Sequence, residues 1–278
     1  MPATLSVVIA ARNCADRIAG TVLPWKGIAT EIVVADQMST DQTPQIAQEL
    51  GCVVLRNDPP NGNFNLNRKI GMEKANSDWI LYIDTDERPT PELLEEIKDF
   101  LEIPLDGDEP AGVKIPNFFY FLGKPLMHGI YSPRGAEIRL MRREKWDYPT
   151  ESSVHIGVSV RGKVIRFKNA YKHFNINSLS EWFSKTNQYT EHDTIAAFAK
   201  VSDARSIPTY GAFYRAFRFF IRHYFLKRGF LDGFHGLVSV FYFMLYHLTF
   251  QIKVWERAER QRLKEEQDYL KPFETQLR

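Results

Sequence analysis

Four short apolar runs in the N-terminal part constrain this chain more than any other feature: LSVVIA at 5–10, EIVVAD at 31–36, CVVL at 52–55 and WILYID at 79–84. They are rich in β-branched residues and apolar on both faces, the pattern of strands buried inside a parallel sheet. Helix-like stretches separate them at 15–23, 44–50 and 64–75. A fourth follows at 91–101, where Thr90 is placed to cap and Pro91 to take the first helical position. This alternation predicts an α/β domain with a mostly parallel central sheet and helices on both faces. Ligands in such sheets bind beyond the carboxyl ends of the strands. Two of the runs end there in aspartate, Asp36 and Asp84.

Past residue 104 the pattern changes. Segments 112–122, 137–142, 154–160 and 163–168 read as strands that extend the sheet and need not be parallel, and from 178 the chain turns helical. The expected division is therefore a domain over 1–177 and a helical region over 178–278. At 44% hydrophobic and 25% charged residues the composition is that of a globular protein. A mean hydropathy of −0.33 excludes a polytopic membrane protein. The segment MPATLSVVIA has no basic stretch ahead of its apolar run, so it reads as a core strand and not as a signal peptide. Cys14 and Cys52 lack metal-ligand spacing, which favours a reducing compartment.

The net charge of +2 gives no reason to expect a nucleic-acid partner, but it hides an asymmetry. Residues 203–262 hold ten Lys and Arg against four Asp and Glu. Within them, 213–230 interleaves aromatics with Arg215, Arg218, Arg222, Lys227 and Arg228, and 233–252 carries no Asp, Glu, Lys or Arg. The basic–aromatic stretch reads as an interfacial helix on anionic lipid. Three readings of 233–252 stand: a buried helix, part of a membrane-surface platform, or a span, the last weakened by His235, His247 and Gln251.

Three stretches can carry chemistry. Asp84-Thr85-Asp86-Glu87 follows the fourth run directly. On an extended segment residues i and i+2 share a side, so Asp84 and Asp86 can present two carboxylates to one hard cation, Mg²⁺ or Mn²⁺, completed by phosphate oxygens. The plainer alternative is a solvated acidic turn. Asp36 sits where nucleotide-binding folds hydrogen-bond a base or ribose, while Ser39, Thr40 and Asp41 read as turn and capping residues. The polar stretch 61–69 opens a helix with Arg68 and Lys69, either facing a diphosphate or lying on a solvated face. His155, in a β-like segment, and His173, in Tyr171-Lys172-His173-Phe174, are the notable histidines. No CxxC, HExxH, G-x-G-x-x-G, Walker A or G-x-S-x-G pattern occurs, which argues against a zinc hydrolase, a dinucleotide enzyme, a P-loop NTPase and a serine hydrolase.

Taken together, Ala11-Arg12-Asn13, Asp36 with Ser39-Thr40-Asp41, Arg68 with Gly71, and Asp84-Thr85-Asp86-Glu87-Arg88 resemble the family 2 glycosyltransferases of GT-A fold. Glu137-Ile138-Arg139-Leu140, Val154-His155, Val160-Arg161-Gly162, His173-Phe174 and Gly229-Phe230-Leu231-Asp232-Gly233 resemble the branch that adds a β-linked hexose to the lipopolysaccharide core. The resemblance implies an inverting, metal-dependent hexosyltransferase that uses a nucleoside-diphosphate sugar and a lipid-linked or cell-surface glycan acceptor. The basic–aromatic C-terminal stretch would place such an enzyme peripherally, on the cytoplasmic face of the membrane. The resemblance implies nucleotide contacts from Ala11, Asn13, Asp36, Arg68 and Asp84. It implies Mg²⁺ or Mn²⁺ ligation by Asp84, Asp86 and His173, the last as the histidine following the final sheet strand. One departure stands out. The branch reads His-Glu where this chain has His155-Ile156, and isoleucine cannot take a proton. Glu151 or His155 then becomes the candidate base. The alternatives are a polyprenyl-phosphate acceptor needing little base assistance, or a catalytically weak nucleotide-sugar and membrane-binding member.

Overall fold

The computed structural model describes residues 2–60, 63–104, 107, 110–131, 135–148, 157–176, 178–199 and 211–276. The chain forms two compact units, one of Met1–Tyr120 with Tyr131–Asn175 and one of Phe121–Ile130 with Ile176–Arg278. Sequence placed the boundary after 177; here Phe121–Ile130 groups with the helices. Part of the reason lies in Asp232, whose carboxylate accepts the backbone N–H groups of Met127 and His128 at 2.9–3.2 Å.

The first unit opens as the periodicity predicts: β1 (Leu5–Ala11), α1 (Ile18–Val22), β2 (Glu31–Asp36), α2 (Thr43–Glu49), β3 (Val53–Arg56), α3 (Phe64–Lys74) and β4 (Trp79–Asp84). Then come β5 (Glu87–Pro89), α4 (Pro91–Leu101) and β6 (Gly112–Phe121). The short β7 (Lys124–Pro125) follows, then β8 (Ala136–Arg142), β9 (Trp146–Asp147), β10 (Ser159–Val160), β11 (Val164–Arg166) and β12 (Tyr171–Ile176). The sheet runs β3-β2-β1-β4-β8-β6-β12-β5, with β11 also paired to β6. β1 to β4 are mutually parallel, whereas β8 is antiparallel to both β4 and β6.

Alternation along the strands builds two cores. Leu5, Val7, Ile9, Val34, Leu81 and Ile83 pack with Ile18, Trp25, Leu93 and Ile97 on one face. Val8, Val33, Ile80 and Tyr82 pack with Met72 on the other. The helices start where side chains cap them: Asn63 Oδ1 accepts from Leu66 N at 3.0 Å, and Thr90 Oγ1 from Leu93 N at 3.2 Å. α3 lies unusually close to the sheet. A Cβ at Gly71 would meet Val8 Cγ1 at 2.8 Å and Ala35 Cβ at 3.0 Å. One turn earlier the buried Asn67 donates from Nδ2 to the Ala35 carbonyl at 2.7 Å. These two contacts set α3 against the end of β2 and so position Arg68.

The second unit holds α5 (Leu179–Ala199), α6 (Ala212–Ile221) and the 44-residue α7 (Gly233–Gln276), with a wide π-helical turn at Arg222–Leu226 and a tight 3-10 turn at Gly229–Asp232. Trp182 of α5 stacks on Tyr242 of α7, and Tyr242 Oη donates to the Trp182 carbonyl at 2.7 Å.

Candidate active site

Parallel register brings the expected residues to one edge of the sheet. Ala11 of β1 pairs with Asp36 of β2, Ala10 pairs with Asp84 of β4, and Asp36 in turn pairs with Arg56 of β3. Asp36 and Asp84 thus flank the carboxyl end of β1, separated by two strand spacings, roughly 10 Å.

The loops beyond these ends are laced together. Asn13, at φ 46°, donates its N–H to Ser39 Oγ at 2.9 Å and accepts from Thr40 N at 2.9 Å on its side-chain oxygen. Asp41 accepts from Ala15 N at 3.0 Å and from Thr43 Oγ1 at 2.6 Å. Ser39, Thr40 and Asp41 therefore do the turn and capping work their types suggest. Ala11 is buried, and its carbonyl accepts from Gln37 N at 2.8 Å. Asp36 is fully buried; one oxygen accepts from Ser39 N and Arg56 Nε, both at 3.2 Å, and the other has no partner. A buried carboxylate oxygen without a donor carries a desolvation cost that a ligand N–H or O–H would relieve.

Arg68 is not on a solvated face. Its guanidinium is buried against Asp84, donates to Tyr148 Oη at 2.8 Å, and lies 4.9 Å from the Tyr82 ring centroid. Burial works against its charged form, but Asp84, Tyr148 and Tyr82 outweigh it and raise its pKa. Tyr82 also carries the guanidinium of Arg139 at 4.6 Å. Burial pushes the Tyr82 phenol up to about 12.

The acidic segment departs from the extended geometry expected of it. The chain turns at Thr85 and Asp86 before β5 begins. The Thr85 carbonyl is held by Thr21 Oγ1 at 2.9 Å and Arg88 Nη1 at 3.0 Å. The two carboxylates consequently have different partners. Asp84 meets Arg68 and, at 3.8 Å, Arg139. Asp86 Oδ1 lies 3.5 Å from His173 Nε2. His173 sits within β12 rather than after the last strand, because β12 pairs antiparallel with β5 and sets His173 opposite Glu87. Burial disfavours its protonated form, yet Asp86 and Glu87 prevail and raise its pKa.

Beneath this turn Glu87 is fully buried and paired with Arg139, Nη2 to Oε1 at 2.9 Å, while Glu87 Oε2 accepts the Asp84 N–H at 2.8 Å. Burial raises the Glu87 pKa, with Arg139 opposing it. Neither Glu87 nor Arg139 was assigned a role from sequence. The available signal was a cation flanked by Ile138, Leu140 and Met141, which, if buried with them, demands a buried acid. Arg56, following the third run as Asp36 ends the second, was missed in the same way.

Glu151 and His155, the candidate bases, lie outside the described residues, as does Ile156. Among the described residues no three His, Cys, Asp or Glu side chains surround one point, so Asp84, Asp86 and His173 are not a preassembled triad. Asp86 and His173 alone fit a divalent ion. Cis ligands at 2.0–2.1 Å in an octahedron are about 3 Å apart, near the observed 3.5 Å, and substrate phosphate and water commonly fill such sites.

Residues 6–161, more than half the chain, match the Glycosyl transferase family 2 profile. The chain belongs to glycosyl transferase family 2. Its first unit is accordingly a GT-A fold, and the protein is a nucleotide-sugar glycosyltransferase. It is 26% identical over 245 residues to an uncharacterized glycosyltransferase of Rickettsia felis, covering 84% of this chain and 83% of that one. To the lipopolysaccharide core biosynthesis glycosyltransferase LpsC of Rhizobium meliloti it is 25% identical over 235 residues, covering 82% and 83%. Among solved structures it is similar to S. aureus TarS 1-349, at 15% identity, 91% coverage of both chains and a TM-score of 0.46. Within the family 2 match lie the β1 loop, Asp36, Arg68, the acidic turn and Arg139; His173 follows it.

Proposed function

We propose that this transferase moves a hexose, with inversion, from a nucleoside-diphosphate sugar to a lipid-linked glycan of the cell envelope, at the cytoplasmic face of the membrane. The carrying observation is the group of strand ends where Asp36 lies opposite Ala11 and Asp84 opposite Ala10, with Arg68 and the Asp86–His173 pair beside them. The likeness to LpsC supports the envelope acceptor.

In this reading the unpartnered oxygen of Asp36 accepts a hydrogen bond from the base or ribose, and Asn13 and Ala11 shape the floor of that pocket. Asp86 and His173 would hold Mg²⁺ or Mn²⁺, which when bound neutralises charge on the departing diphosphate. Arg68 adds a fixed positive charge on the same side, oriented by Asp84 and Tyr148. The Glu87–Arg139 pair keeps the turn in place. Glu151 or His155 takes the acceptor proton as the hydroxyl attacks from the face opposite the leaving group.

Ile156 favours one second reading, a polyprenyl-phosphate acceptor, whose phosphate attacks without a base. Purified protein with Mn²⁺ is first screened against nucleoside-diphosphate sugars by thermal shift. The stabilising donor is then offered with a core-oligosaccharide lipid or a polyprenyl phosphate. Transfer to the former supports the main reading, transfer to the latter the second, and no stabilisation by any donor rejects both.

A further inference from the structure

The second unit exposes an apolar surface of a kind that folded monomers seldom leave bare. Phe213, at 72% exposure, Tyr214 and Phe217 stand out from α6. An aromatic chain continues from them: Phe220 stacks on Tyr224 at 5.3 Å, and Tyr224 meets Phe225 at 5.0 Å and Phe230 at 6.3 Å. Past it, Leu226 and Phe234 are 76% and 75% exposed, and Leu231 is 55% exposed. The turn that presents these residues is pinned. Gly129 N donates to the Lys227 carbonyl at 2.9 Å, and Asp232 grips Met127 and His128. Gly236 approaches the Gly229 carbonyl too closely for any Cβ.

Charge selects the partner. Arg218, Arg222, Lys227 and Arg228 are exposed on the same stretch, and none takes part in an ion pair among the described residues. Its one acid, Asp232, is buried and occupied by the N–H groups of Met127 and His128. Unpaired cations interleaved with exposed rings fit phosphate headgroups over hydrocarbon. α7 is long and apolar enough to cross a membrane by length and composition. Its apolar stretch is nonetheless tied to neighbouring helices by polar groups. Tyr246 Oη donates to Asp193 of α5 at 2.6 Å, and Arg215 of α6 donates to Gln251 at 2.6 Å. Crossing would carry Asp193 and Arg215 into hydrocarbon, which is costly.

We propose that the surface of α6 and the following turn, residues 213–234, inserts shallowly into an anionic bilayer, with α7 as its spine and not as a span. The use made of this surface, delivery of a lipid-linked acceptor, rests on the transferase reading above; the binding does not.

The full chain, without donor or acceptor, is sedimented with phosphatidylcholine vesicles containing or lacking phosphatidylglycerol. Wild type is expected to bind the anionic vesicles at low salt and to keep a weaker bound fraction at high salt. Arg218→Glu with Arg222→Glu should lower low-salt binding at least tenfold, at about fivefold or more per cation. Leu226→Ser with Phe234→Ser should remove the salt-resistant fraction. Unchanged donor-induced thermal shifts in both variants establish that they fold. Because Cys14 and Cys52 are buried, Leu226→Cys or Leu263→Cys can be labelled selectively with an environment-sensitive dye. The dye at 226 should be quenched by spin-labelled lipid and the dye at 263, about 44 Å along α7 from Phe234, should not. Three results overturn the proposal: no preference for anionic vesicles, retention in alkaline carbonate as for a span, or lipid-free self-association lost in the Leu226/Phe234 variant, which would assign the patch to a second copy. Failure here alongside intact donor binding leaves the transferase reading standing.

Discussion

Arg139 holds Glu87 through two contacts, Nη2 to Oε1 at 2.9 Å and Nη1 to Oε2 at 3.4 Å, with both side chains buried. The pair joins β8 to β5, and its second carboxylate oxygen carries the Asp84 N–H. It is therefore structural support for the acidic turn. Removing Arg139 leaves the buried Glu87 without its guanidinium partner, at a cost of roughly 3–5 kcal/mol. Arg139→Met should lower the free energy of urea unfolding by about that amount. The double variant Arg139→Met, Glu87→Gln should recover a large part of the loss. Equal stability of single and double variants would remove the pair from this role.

One oxygen of the buried Asp36 has no hydrogen-bond partner, and the proposed function assigns it to the nucleotide. A hydrogen bond to a charged group contributes about 1.5–3 kcal/mol, on the order of ten- to a hundredfold in affinity. Asp36→Ala should weaken nucleoside-diphosphate binding by that factor in calorimetry. A dissociation constant equal to wild type would reject the assignment.

The close approach of α3 gives a test of how Arg68 is positioned. Gly71→Val adds atoms where even a Cβ would meet Val8 Cγ1 at 2.8 Å. Overpacking of this kind costs about 1–3 kcal/mol. Both the unfolding free energy and donor affinity should fall, because lifting α3 moves Arg68 away from Asp84. A stability loss with unchanged donor affinity would show that Arg68 does not reach the donor.

The first four strands were legible because residues buried on both faces leave no polar interruption, and the observed β1 to β4 match the apolar runs within a residue at each end. Asp36 and Asp84 were legible for the same reason, as charges that end such runs. The turn at Thr85 and Asp86 was not, since nothing local in DTDE distinguishes extension from reversal; the β5–β12 pairing decides it. β12 escaped notice because Tyr171-Lys172-His173-Phe174 lacks the continuous apolar run of the earlier strands. Arg68 was read as exposed or ligand-facing, yet Phe64, Arg68 and Met72 recur at i, i+4 and i+8. A cation in that stripe faces the sheet and needs an acid there.

The proposed function makes Asp86, with His173, a metal-assisted participant in transfer from a nucleotide sugar that contributes little to folding. The direct measurement is nucleoside-diphosphate release from the stabilising donor, with acceptor lipid, by wild type and Asp86→Ala, in Mn²⁺ and in EDTA. Wild type should release product in Mn²⁺ and lose that activity in EDTA, while Asp86→Ala stays inactive in both with an unchanged unfolding transition. Full activity of Asp86→Ala in a folded state, or of wild type in EDTA, would contradict the account.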